Sequence, residues 1–291
     1  MYTSQSMKIN FPKLESDNPD VFIGERRRVS SMTSVSLLGP ELGAACHFNG
    51  KRIYLFEFNV EQRHAKIRHS IPTTWGSKPV ETDLMASSRD GLMAVTNFFQ
   101  KTVTVYDTDG NKLRHVRDIV HDFGHFIHGI AFYDANTLAV TGRKQHGGVL
   151  FIDIQTSEPK FEIPFRGEHV QDVKFLSSSL ALIAITRGHP TLKPANHYDS
   201  SLLLVEFEQT GKHRIIQERL FPSTHLDNIA ISARRGLVTD QYNHTVHEFD
   251  LESLATLREH TGFDFPHGCD TAFNIMAVTN YGDCSLELRR L

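Results

Sequence analysis

Short apolar runs separated by Gly, Asn, Asp and Ser recur along the whole 291-residue chain, and one phrase recurs with them. It reads Ala94-Val95-Thr96, Ala139-Val140-Thr141, Ala184-Ile185-Thr186, Leu237-Val238-Thr239 and Ala277-Val278-Thr279, with a degenerate copy at Ala44-Ala45-Cys46. Each copy has the composition of a buried strand. A second β-prone run precedes each copy, at residues 34–38, 83–87, 129–133, 172–176, 228–232 and 270–274. A third follows, and a more polar fourth often comes after that, as at residues 112–117 and 214–220. Turn signals such as Arg89-Asp90-Gly91 separate the first two runs. With Val35, Leu84, Ile130, Val173, Ile229 and Thr271 as equivalent anchors, the units lie 42 to 56 residues apart. Four strands per unit at that period predict an all-β, six-bladed β-propeller of four-stranded antiparallel blades.

The sixth unit runs out at Leu291 after its third strand. Residues 21–28 precede the first blade, where a fourth strand belongs, so they are expected to complete blade six and close the ring. The expected organisation is an N-terminal arm over residues 1–20 and one propeller domain over 21–291. Joining the termini in one sheet leaves no open blade edge.

Strand alternation sorts the loops. If the strands of a blade run A to D outward from the axis, the D-to-A and B-to-C loops share one face and the A-to-B and C-to-D turns share the other. The A-to-B turns are plain. The other face is expected to carry eleven of the 17 histidines. His169, His225 and His267 each lie four residues before their anchors, in three adjacent blades. They form a candidate metal shell, with Asp227 and Asp270 as added oxygen ligands. His128, two residues before its anchor, is the candidate general base, with His121 and His125 nearby. His189, His197, Arg143, Arg187, Tyr242, Phe98, Phe99 and Trp75 are candidates for substrate contacts, and residues 188–199 for a lid. The plainer alternative is that these are polar loop histidines held by backbone carbonyls.

Composition narrows the classes. A net charge of −3 and no basic face argue against nucleic-acid binding. Three cysteines make no disulfide framework and, with no signal-like apolar core at the start, lead to a cytoplasmic expectation. No apolar stretch approaches a membrane span. Phosphate loops, dinucleotide fingerprints, nucleophile elbows and CxxC pairs are absent, so no nucleotide cofactor is expected. The oligomeric state stays open.

The phrases Phe126-Ile127-His128-Gly129-Ile130-Ala131-Phe132, His169-Val170-Gln171-Asp172-Val173 and Leu226-Asp227-Asn228-Ile229 resemble the blade openings of the gluconolactonase, arylesterase and paraoxonase group. The strictosidine synthase-like proteins share that architecture. The resemblance implies a six-bladed propeller holding Ca²⁺ in its channel and hydrolysing lactones or esters. His128 would stand near the metal, with Gln171, Asp227 and Asp270 as ligand positions. Two positions depart from the pattern: Thr33 stands where the group has a glutamate, and Gln171 where it has an asparagine.

Three functions are therefore carried forward. The first is metal-assisted hydrolysis of a small lactone or ester, with a transition metal or Ca²⁺. The second is a metal-independent lyase, isomerase or cyclase using histidine acid–base chemistry. The third is a non-catalytic propeller that presents its aromatic rim to a ligand or protein.

Overall fold

The computed structural model describes residues 6–12, 22–23, 26–27, 31–120, 127–142, 147–165, 168–187 and 199–291. These residues form six four-stranded antiparallel blades. The innermost strands, A, are Met32–Gly39, Thr82–Ser87, Ile127–Asp134, His169–Ser177, Leu226–Ser232 and Pro266–Ala272. Each A strand packs against the next, and the sixth returns to the first, so the ring closes. No described residue lies in an α-helix, so none of the described segments is a helix long and apolar enough to cross a membrane.

The recurring phrase lies on the second strands, B: Leu42–His47, Leu92–Asn97, Thr137–Gly142, Leu180–Arg187, Arg235–Asp240 and Ile275–Asn280. Its apolar members fill the layers between blades. Ala139 of blade three and Ile185 of blade four, for instance, share one core cluster with Val149, Phe151, Val170 and Val173.

The threonine has a separate task. Near its start every A strand slips register against its B strand, for example between Ile127 and Ile130 and between Leu226 and Ile229. Such a bulge frees a backbone N–H from the ladder and turns a side chain aside. The threonine hydroxyl accepts that N–H, from Leu84 to Thr96 at 3.0 Å, Gly129 to Thr141 at 2.7 Å, Asn228 to Thr239 at 3.0 Å and Gly268 to Thr279 at 2.7 Å. Three of these hydroxyls also donate to the next blade, Thr96 to the His128 carbonyl, Thr141 to Gln171 and Thr239 to His267. The repeat is thus a staple between blades as well as a strand. Cys46 takes its place in blade one. Burial pushes that thiol up to about 12, against a hydrogen bond with Thr82.

Two expectations need correction. The strand that completes blade six is Ser6–Asn10, paired antiparallel with Ser285–Arg290, and not residues 21–28. Met7, Ile9 and Phe11 alternate inward and join the core between blades six and one, which Arg26-Arg27-Arg28 has no pattern to do. Phe22–Ile23 and Arg26–Arg27 pair with each other instead. The blade-six anchor is also displaced. Cys269 faces Val278 as Ile229 faces Val238 and Ile130 faces Val140, so Cys269, and not Thr271, is the equivalent residue.

Candidate functional site

The corrected register regroups the histidines. The residue just after the first of each A strand's bulged positions is Thr33, Asp83, His128, Gln171, Asp227 or His267, in blades one to six. His267 therefore belongs with His128 on one row. His169 and His225 lie one row nearer the D-to-A face, so the expected three-histidine column does not form. All six residues of the inner row are buried.

Four of them close on one another. His128 Nε2 lies 3.4 Å from Asp83 Oδ2 and 3.1 Å from Asp227 Oδ1. His267 Nε2 lies 3.4 Å from Asp83 Oδ1 and 3.4 Å from Asp227 Oδ2. The two imidazole centroids are 5.6 Å apart. Aspartates come from blades two and five and histidines from three and six. Like residues thus stand on opposite blades of the ring, and each carboxylate spans both imidazoles. Asp83, His128 and His267 present ligand atoms within 4.8 Å of one another.

Backbone contacts fix both rings. His128 Nδ1 is 2.7 Å from the Gln171 carbonyl, and His267 Nδ1 is 2.8 Å from the Thr33 carbonyl. A carbonyl only accepts, so Nδ1 carries the proton in both rings and Nε2 points inward. The glycine after each histidine makes this possible. A Cβ on Gly129 would fall 2.6 Å from the Asp172 Cα, and one on Gly268 2.5 Å from the Thr33 carbonyl oxygen. Only a bare backbone lets the next blade come this close. The Gln241 side-chain amide donates to Asp227 Oδ2, and His267 stacks on Tyr281.

The remaining candidates are dispersed. His225 Nε2 meets the Gln171 amide at 3.4 Å, and its ring abuts Tyr242, 5.2 Å between centroids. His169 opens the blade-four A strand and is buried. Asp270 is not in the ring. Its carboxylate accepts the Leu37 and Thr271 amides, three residues further along the strand than His267. Phe98 and Phe99 pack on each other and on Phe48, and Trp75 sits half-exposed in a two-residue hairpin. Arg187 is bridged to Glu168 and Glu218. His121, His125, Arg143, His189 and His197, and most of the expected lid, lie outside the described residues.

The sequence offers Asp83 only as one of six strand-opening oxygens able to bind Ca²⁺, with Gln171, Asp172, Asp227, Asn228 and Asp270, and does not group it with His128 and His267. The available signal was the pair of His-Gly steps, His128-Gly129 and His267-Gly268, three blades apart, with an aspartate one blade earlier in each case.

No family model matches the chain, and no curated protein matches its sequence. Among solved structures, one described as "Crystal structure of WD40 beta propeller domain of Doa1" is similar over 91% of this chain and 94% of that one. Its TM-score is 0.61 and its sequence identity 10%. That likeness concerns the fold: the chain is a six-bladed β-propeller.

Proposed function

We propose that the protein is a metal-dependent hydrolase of small lactones or esters, working at the ring of Asp83, His128, Asp227 and His267. One observation carries the reading. Both histidines commit Nδ1 to a backbone carbonyl, so their Nε2 lone pairs meet an Asp83 oxygen within 4.8 Å of one another, with Asp227 beside both imidazoles. Donors around a four-coordinate ion with bonds of about 2.0–2.2 Å stand about 3.3–3.6 Å apart. The histidine-to-carboxylate spacings here are 3.1 to 3.4 Å. Two imidazoles favour a transition ion such as zinc over calcium, which takes six to eight oxygens. The Nδ1 bonds are the outer contacts that such ligands need to hold their tautomer. A divalent ion supplies a Lewis acid and an acidified water to this site. His225, one row nearer the D-to-A face, and Gln171, on the ring's own row, would orient a substrate carbonyl there. The resemblance to lactone-hydrolysing propellers in the blade openings supports the same substrate class.

Elemental mass spectrometry of the purified protein comes first, then hydrolysis of γ-lactones and aryl esters with and without chelator. The expected result is one divalent ion per chain and hydrolysis lost on chelation. His128→Ala and Asp83→Asn should lose the ion and about 100-fold or more in rate. Protein without metal after supplementation would overturn the reading. Turnover that survives chelation would redirect it to histidine acid–base chemistry. Bound metal with no hydrolysis would indicate a binding propeller whose ion is structural.

A further inference from the structure

A second compartment opens at the other end of the channel. The A-to-B turns surround a cavity of about 650 Å³, within the range of small-molecule sites. None of the four ring residues lines it. Its inner end is formed by Asn228 and Cys269, one and two residues beyond Asp227 and His267. Small side chains such as Ser36, Ala86, Ala131 and Ala230 leave room inside, and of the five charged residues in the lining Arg89, Asp90 and Asp134 are exposed on the turns while Lys174 and Asp270 are partly buried on the A strands.

The chemistry of these two groups is unspent. Lys174 Nζ donates to Asp172 Oδ2 at 2.7 Å, one of the three hydrogens an ammonium offers. The same oxygen takes the Asn228 amide at 2.8 Å and the Ile229 N–H at 2.9 Å, so Asp172 is committed to the wall. Asp270 accepts the Leu37 N–H at 2.6 Å and the Thr271 N–H at 2.8 Å, and bonds the Ser36 hydroxyl. A carboxylate has about four acceptor sites, so one is left. Lys174 and Asp270 are near enough to feel each other's charge. With Lys174 balanced by Asp172, the unbalanced charge at the inner end is Asp270. A lone anion would meet Asp270 and a lone cation would meet Lys174. A molecule carrying both charges satisfies both residues.

We propose that this funnel binds a small zwitterion of the amino-acid class, its carboxylate on Lys174 and its ammonium on Asp270. The site is independent of the metal ring, so neither proposal stands or falls with the other.

Titration calorimetry on the purified protein tests it, with glycine, β-alanine, γ-aminobutyrate and 5-aminovalerate as probes. Butyrate and butylamine serve as half-ligands. One amino acid of the series should bind at least 10-fold more tightly than either half-ligand. Lys174→Met and Asp270→Asn should each weaken it at least 10-fold. Ala86→Leu, which fills the throat and leaves both charges in place, should abolish it, so the proposal survives any misfolding of the charge variants. No saturable heat with any probe on the unmutated protein would overturn it. So would butylamine or butyrate binding as tightly as the best amino acid, or binding that persists in Ala86→Leu.

Discussion

Gly268→Ala puts the close approach of two blades to the test. The new Cβ would stand 2.5 Å from the Thr33 carbonyl oxygen and 2.6 Å from the Ser34 Cα. Both obstacles are backbone of the blade-one A strand, so no side chain can swing away. Ordinary contact needs nearly 1 Å more room. That displacement would stretch the 2.8 Å contact between His267 Nδ1 and the Thr33 oxygen beyond hydrogen-bond range. Overpacking costs about 1–3 kcal/mol and the lost hydrogen bond about 1 kcal/mol, together about 2–4 kcal/mol. In a chain of this size that is a fall in Tm of about 4–8 °C. The freed imidazole should also weaken metal binding by about 10- to 100-fold. Gly39→Ala is the control, because its Cβ would meet only the Leu42 Cβ at an ordinary 3.7 Å. Thermal unfolding and metal competition on both variants decide the matter. If Gly268→Ala melts and binds metal like its parent, or Gly39→Ala is equally damaged, the argument from blade approach is wrong.

Thr96→Val keeps the shape but removes the hydroxyl that serves the Leu84 N–H and the His128 carbonyl. It should cost about 2 kcal/mol in urea unfolding with an unchanged m-value. Gln241→Leu removes the amide on Asp227 and should lower metal affinity about 10-fold at unchanged Tm, read by competition with a chromophoric chelator. His47 is fully buried, and burial lowers its pKa from 6.5 to about 4. The unfolded chain therefore binds the extra proton between those values. Stability is complete above pH 6.5 and falls by about 3 kcal/mol as pH drops to about 4. Urea midpoints at pH 7 and pH 4.5 should converge in His47→Leu and diverge in the parent.

The blades were legible because the Ala-Val-Thr phrase meets two demands at once. Its apolar residues fill a layer between blades, and its threonine hydroxyl satisfies a bulged N–H and reaches the next blade. No other polar residue of that size suits a buried β position as well, so the phrase recurs. The ring was only partly legible. His128, Asp227 and His267 stood out by type, but which of them face one another depends on the bulges, and sequence spacing does not count them. In blade six the run Gly268-Cys269-Asp270-Thr271 offers several plausible anchors, and choosing Thr271 moved His267 into the wrong row. Asp83 was then one of several strand-opening oxygens, with nothing in its spacing to pair it with either histidine. The closing strand was hidden for another reason. Ser6–Asn10 is short and half polar, and only its partner at Ser285–Arg290 makes it a strand.

That partnership orders events during synthesis. Met7, Ile9 and Phe11 leave the ribosome before the other blade strands, yet the sheet that receives them is the last of the six to be made. This segment must wait through the translation of five blades and three strands of the sixth, at about 5–20 residues per second. During that wait the newborn chain carries an apolar strand with no ladder to join, an invitation to chaperones and to neighbouring nascent chains. A circular permutant that moves Ser6–Asn10 to follow Arg290 would remove the delay.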